Sequence, residues 1–196
     1  MNNNLRPLCS TFIFFLILTG LGYPLLITGI AQLFFPVQAN GSLIEKDGKL
    51  IGSRLIGQNF SSDYYFWGRL SATGSFPYNA GLSGGSNLGP LNPALVQEVS
   101  ARVLALQSAD PDKHKPIPAD LATSSASGLD PEISLASAHY QINRVAKARH
   151  LSVLQVRELI QAHIRPVLFG FLGESRVNVL ELNLALDELS NSNNNN

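Results

Sequence analysis

Gly81-Leu82-Ser83-Gly84-Gly85 satisfies G-x-S-x-G, the pattern in which a sharp turn raises a serine hydroxyl for nucleophilic attack. Asp130, and then His139 or His150, follow in the chain order of a hydrolase triad. That elbow needs a buried strand before the serine and a helix after it. Here Pro77 spoils the preceding run as a central strand, and Gly89-Pro90 breaks any helix that follows. The glycines read better as a tight loop with positive φ, and a serine hydrolase using Ser83 remains the enzyme alternative. A phosphate cradle of the form G-x-x-x-x-G-K-[ST] is absent from the sequence. Backbone N–H groups at Ser83-Gly84-Gly85 could hold an anion as a nest, as any glycine-rich turn could. His114, His139, His150 and His163 share no metal-ligand spacing, and His163 falls on an apolar helix face as a core histidine would. Cys9 is the only cysteine, which excludes a disulfide scaffold and a cysteine-ligated zinc site.

The elements that must position these residues begin with an uncharged N-terminus. Arg6 is the sole charged residue among the first 40, and the apolar stretch from Cys9 to Phe35 exceeds the ~20 residues that span hydrocarbon. Val37-Gln38-Ala39 resembles a signal-peptidase site, but the apolar stretch is about twice a signal sequence's 7–15 residues, which favours a retained anchor. Positive-inside counting does not choose an orientation, because Arg6 on one side faces Lys46, Lys49 and Arg54 on the other. The chain carries 14 basic and 14 acidic residues, with no basic footprint for nucleic acid.

Beyond the anchor, Asp47-Gly48 between Leu43-Ile44 and Leu50-Ile51 predicts a hairpin. Phe60 to Trp67 is an aromatic cluster that reads as core. Leu70 to Gln97 has no charge and is rich in Gly, Ser, Asn and Pro; its apolar residues predict an ordered, docked loop whose Phe76, Tyr78 and Leu82 are covered either by its own domain or by another protein surface. Asn92-Pro93 predicts a capped helix with Leu95, Val96, Val99, Val103 and Leu106 on one face. A second helix is expected from about Asp130-Pro131, with Ile133, Ala138, Ile142 and Val145 inward. Arg144, Lys147 and Arg149 read as a solvated cationic helix end, as the helix dipole favours. Ser152-x-x-Gln155 predicts a third helix through a capping box. Leu180, Leu182, Leu184 and Leu186 alternate like a strand, but Asn178-x-x-Glu181 favours helix. The expected fold is a single N-terminal transmembrane helix plus an α+β globular domain. Its segments are 1–8, a membrane helix over 9–36, a soluble domain over 41–189 and a disordered polar tail over 190–196.

Three strings are specific. Tyr65-Phe66-Trp67-Gly68-Arg69-Leu70-Ser71-Ala72 leads to Tyr78-Asn79-Ala80 and to Ser83-Gly84-Gly85-Ser86-Asn87-Leu88-Gly89-Pro90-Leu91-Asn92-Pro93. Ser127-Gly128-Leu129-Asp130-Pro131-Glu132-Ile133-Ser134 leads to Tyr140-Gln141-Ile142-Asn143-Arg144-Val145. Leu172-Gly173-Glu174-Ser175-Arg176-Val177-Asn178-Val179-Leu180 closes the chain, with Leu182-Asn183-Leu184 after it. In this order they resemble the KdpC family, the C subunit of the bacterial Kdp potassium-transporting ATPase. Leu70 and Ser175 stand where that family usually has proline, and Ser86 replaces the glutamine of its fuller Leu-Ser-Gly-Gly-Gln pattern.

The resemblance implies a non-catalytic subunit of an ATP-driven potassium importer in the bacterial inner membrane, its soluble domain extracytoplasmic. The implied partners are a potassium-channel-like subunit, a P-type ATPase subunit and membrane lipid. The chain itself contains neither an Asp-Lys-Thr-Gly phosphorylation string nor a Thr-Val-Gly-Tyr-Gly filter string. The family is described as a catalytic chaperone that raises the ATPase subunit's affinity for ATP. That description implies nucleotide contacts at Ser83, Gly84, Gly85 and Gln141, no tightly bound cofactor, and ATP met through the ATPase subunit. It also implies a partner-docking loop carrying Arg69, Phe76, Tyr78, Asn87 and Asn92. An independent extracytoplasmic ligand-binding module is the other alternative.

Overall fold

The computed structural model describes residues 4–111 and 115–194, the last three by backbone alone. They group into two compact units, Met1–Ser53 and Arg54–Asn196.

In the first unit, helix α1 (Leu5–Ile17) passes through a π-helical turn (Leu18–Gly22) into α2 (Tyr23–Phe34). The helix starts at Leu5, so the expected separate segment over residues 1–8 is shorter than expected. Pro24 explains the wider turn: it has no N–H to give the preceding turn, and its ring crowds that turn's carbonyl. The 30-residue span Leu5–Phe34 is long and apolar enough to cross a membrane, and none of it is buried against protein. Pro36 opens a short helix, α3 (Pro36–Ala39), as a proline at a first helical position can. The predicted hairpin follows as β1 (Leu43–Lys46) and β2 (Lys49–Ser53). Asp47 (φ 52°) and Gly48 (φ 72°) both take the left-handed conformation that matches strand twist in a two-residue turn. This hairpin belongs to the first unit, not to the larger one.

The second unit mixes helix and sheet. Its helices are α4 (Pro93–Ala109), α5 (Ala119–Ala122), α6 (Leu135–Arg149), α7 (Val153–Ala162) and α8 (Val179–Asn194). A three-stranded antiparallel sheet has β5 (Arg176–Asn178) between β3 (Glu132–Ser134) and β4 (Ile164–Arg165). Ile133 pairs with Val177, and both point into the core with Ile142, Val145, Val156 and Leu182. On the alternate positions Glu132 reaches Arg165 at 2.9 Å and Arg176 at 2.5 Å, as the two-residue period of a strand dictates.

Several expectations change. Glu132–Ser134 is strand because it pairs with β5, so the second helix begins at Leu135 with Ser134 as its cap. Asp120 fixes that cap, accepting from Ser134 N at 2.9 Å, Ser134 Oγ at 3.0 Å and Ser137 Oγ at 2.6 Å. Burial pushes the Asp120 carboxyl up, but these bonds outweigh it and leave it below the ordinary carboxylate range. On α4 only Leu106 of the proposed face is buried, and Val96 is exposed. The polar tail is helical as far as Asn194: Ser190 donates to Leu186 O and accepts from Arg149. Asn195 and Asn196 lie outside the described residues. The capping box at Ser152 and Gln155 forms in both directions, and Asn178 caps α8 through Glu181 N.

Arg144 and Arg149 are not a solvated helix end. Their side chains are 4% and 8% exposed, and both hold a turn within the aromatic cluster. Arg144 donates to Asp63 O and Tyr65 O, and Arg149 to Tyr64 O. Two amides complete the grip. Asn183 bonds both N–H and C=O of Phe66, and Gln141 does the same for Trp67, at 2.8–3.1 Å. Each amide thus presents one donor and one acceptor side by side, as a neighbouring strand would. Phe66 is fully buried by this pairing, and Trp67 lies with Leu106, Leu121 and Tyr140 in a second cluster. Arg144 stacks 4.6 Å from the Trp67 ring centroid. Its burial, only partly countered by Asp63, brings the guanidinium pKa down to about 10.

Gln141→Ala strips partners from both polar groups of Trp67 and from Arg144 in a buried place. We expect a loss of about 3 kcal/mol, read from denaturation of the full chain through Trp67, its single tryptophan.

Candidate functional site

The uncharged loop after Arg69 is ordered by its own domain. Leu70 bridges Ser124, and Ser125 N donates to Leu70 O at 3.1 Å. Ser71 Oγ donates to Gly128 O at 2.6 Å and accepts from Tyr78 N at 2.8 Å, which folds the loop back on itself. Further on, Gly84 N and Ser83 Oγ both donate to Ser127 O. Gly128 (φ 67°) must be glycine here, since a Cβ would lie 2.5 Å from Thr73 Cγ2 and 2.7 Å from Gly84 O. One loop therefore lies along the strip Ser124–Gly128 from end to end.

Tyr78 is the peg. Its hydroxyl donates to Arg69 O at 2.6 Å. Its ring fills the space that side chains at Gly57 and Gly68 would take: a Cβ at Gly57 would sit 2.3 Å from the ring. Burial pushes the Tyr78 hydroxyl up to about 12, with Asp130 adding to the rise and Arg102 and Arg69 opposing it. Phe76 and Leu82, in contrast, are more than half exposed, so of the three expected to be covered only Tyr78 packs on the loop's own domain. A 3₁₀ turn over Ala80–Leu82, capped by Asn79, holds Leu82 outward.

The other expected docking residues divide the same way. Arg69 pairs with Asp130 at 3.0 Å and donates to Ser124 O, while Asn92 caps α4 through Ala94 N. Asn87 is exposed with φ 52°. Phe76 and Asn87 therefore face outward, and Arg69, Tyr78 and Asn92 hold the loop to its domain.

The residues expected at nucleotide do not form one cluster. Ser83 lies exposed with its hydroxyl on Ser127 O. Gln141 is 1% exposed. Its Nε2 donates to Trp67 O and Ser137 O, while its Oε1 accepts from Trp67 N and Arg144 Nη2. An amide has two donor hydrogens and two acceptor lone pairs, so Gln141 has nothing left for a ligand in this conformation. No hydrolase triad forms either. Asp130 is engaged by Arg69 and Glu132 N, and His150 caps α6 in a left-handed conformation. His139 lines a cleft of about 840 Å³ with Lys115, Lys147 and Arg157, and Ser83 does not line that cleft. His163 caps α7 with Nδ1 2.8 Å from Leu159 O, and His114 lies outside the described residues. Among the described residues no group of three His, Cys, Asp or Glu side chains could hold a metal ion.

Sequence reasoning missed the roles of Asn183, Arg144 and Arg149. The one available signal was that Asn183 interrupts a run of leucines that otherwise reads as pure core.

As a class, this is a mixed helix–sheet domain that follows, in the sequence, an apolar helix long enough to span a membrane. Comparison with known proteins makes that specific. The chain belongs to the KdpC family: a family model described as "K+-transporting ATPase, c chain" matches residues 5–188. It is 59% identical to a potassium-transporting ATPase KdpC subunit of Herpetosiphon aurantiacus, over 96% of this chain and 98% of that one. Similar proteins of the same name occur in Burkholderia cenocepacia (58% identical, over 95% and 97%) and Paraburkholderia phytofirmans (57%, over 96% and 98%). The family expected from the three sequence strings is the family found.

Tyr78 gives a pH signature. A phenol whose folded pKa is raised stabilises the fold fully below its unfolded pKa near 10, and that stability is lost as pH rises through about 12. In ultraviolet titration of the full chain, one of the five tyrosines should ionise near pH 12 together with loss of structure. Tyr78→Ala should lower stability by about 3 kcal/mol.

Proposed function

We propose that this chain is the non-catalytic C subunit of a potassium-transporting P-type ATPase in the bacterial inner membrane. It assembles and stabilises the complex, its anchor packing among membrane helices and its folded domain lying on the extracytoplasmic side. The partners are a channel-like subunit that selects potassium and the P-type subunit that turns over ATP. Family membership supports the subunit role. The observation that carries the assembly role is an apolar loop surface that the domain itself fixes: Phe76 and Leu82 are exposed, while Ser71, Tyr78 and Ser83 tie the same loop down. A loop ordered in advance loses little further entropy when a partner covers it, so its apolar side chains contribute nearly their full burial to binding.

The finer proposal is that the chain also raises the ATPase subunit's affinity for ATP. The filled amide of Gln141 favours transmission of that effect through subunit contact over direct ligation of nucleotide.

Both parts are testable in one preparation. When the full chain is co-expressed with its two partners, Phe76→Ala with Leu82→Ala should weaken retention in the detergent-purified complex about tenfold, with the isolated chain's melting temperature unchanged. Equal retention would defeat the loop-docking role. Ser83→Ala should leave the complex's KM for ATP within about twofold of wild type, whereas a tenfold rise would restore direct nucleotide contact at the loop.

A further inference from the structure

Between β4 and β5 the chain runs out into a second apolar projection that neither the loop after Arg69 nor the core absorbs. Leu168 and Leu172 bridge each other, with Leu168 N on Leu172 O at 3.0 Å and Leu172 N on Leu168 O at 2.9 Å. The reversal is made by Phe169 (φ 54°) and Gly170 (φ 81°). The bridge encloses a three-residue loop, in which positive φ is tolerated best by Asn and Gly, and a phenylalanine held there is an outlier among bulky residues. Its own fold gives it no cover in return: Phe169 and Phe171 are 78% and 75% exposed, and Leu168 and Leu172 are roughly half exposed. Backbone strain kept at an exposed aromatic residue is a feature of clamps and binding elements. Four adjacent large apolar side chains on one short hairpin mark an interaction site.

The surrounding charges choose the occupant. Pro166 to Gly173 contains no charged residue. The cations beside it are already engaged: Arg165 with Glu132 at 2.9 Å and Glu181 at 2.7 Å, and Arg176 with Glu132 at 2.5 Å. The exposed charged neighbour, Glu174, is an acid. Elements that insert into bilayers ordinarily present Lys or Arg to anionic headgroups, and this one presents none. An uncharged aromatic tip on a short hairpin fits a desolvated protein pocket, where aromatic anchors dominate binding. We propose that the Leu168–Leu172 hairpin is a docking peg that inserts Phe169 and Phe171 into an uncharged, apolar socket on another subunit of the same ATPase. The inference rests on the subunit reading above and adds a second, separate contact surface to it.

The test uses the full chain co-expressed with its partner subunits. Phe169→Asn combined with Phe171→Ser removes the aromatic rings while giving the turn the Asn-Gly sequence it suits. The hairpin should therefore persist, which an unchanged melt and unchanged Trp67 emission verify. The expected result is normal folding with retention in the purified complex reduced at least tenfold. Wild-type retention by the folded double variant would overturn the peg while leaving the subunit reading intact. Failure of the wild-type chain to co-purify would overturn that reading and this inference with it. Phe169→Trp separates the occupants. In proteoliposomes containing brominated phosphatidylcholine, the added tryptophan should emit as water-exposed in the chain alone. In the assembled complex it should shift to the blue without bromine quenching. Quenching by bromolipid in the chain alone would assign the tip to the bilayer and overturn the proposal.

Discussion

Eight consecutive carbonyls, from Ser62 to Arg69, each accept a hydrogen bond from a side chain. The donors are Trp67, Arg144, Arg149, Arg144 again, Asn183, Gln141, Arg102 and Tyr78, in the order of the carbonyls. The segment starts as an exposed turn over residues 62–65 and continues as buried chain from Phe66 to Gly68, with no strand beside it among the described residues. Buried backbone groups must find partners, and here guanidiniums and amides from α4, α6 and α8 supply them. The arrangement also fixes what those side chains cannot do. A glutamine that completes a backbone pairing is not available to a ligand, and two arginines of a helix's last turns become interior struts.

The consequences run outward from that segment. Its second half brings Phe66 into the main core, and Trp67 into the second cluster with Leu106, Leu121 and Tyr140. Its end at Arg69 fixes the root of the apolar loop, because Tyr78 returns to bond Arg69 O and pack on Gly57 and Gly68. The loop is thereby presented as a finished surface with Phe76 and Leu82 outward. A network of charge-assisted bonds to one strip of backbone is cooperative: removal of one donor leaves a buried acceptor bare and loosens its neighbours.

Much of this was legible in the sequence, and the parts that were not share a cause. Local signals held. Asp47-Gly48 made the hairpin, Asn92-Pro93 and Ser152/Gln155 started their helices, and the leucines after Asn178 formed helix as the cap implied. The misreadings arose where a distant partner decides the outcome. Glu132–Ser134 is strand only because Arg176–Asn178 lies against it, with Ile133 opposite Val177, 44 residues further on. Arg144 and Arg149 looked like a solvated helix end because the carbonyls they hold lie about 80 residues earlier. For Phe76 and Leu82 the sequence left own-domain packing and a partner surface both open, because apolar character alone does not distinguish the two.

Hydrogen exchange at the Phe66 and Trp67 amides of the full chain, with and without ATP, probes the central claim most directly. If Asn183 and Gln141 hold these two N–H groups as a strand would, both exchange only through global unfolding, and ATP leaves their protection unchanged. Exchange at the rate of a surface loop, or protection at Trp67 that alters when ATP is added, would contradict it.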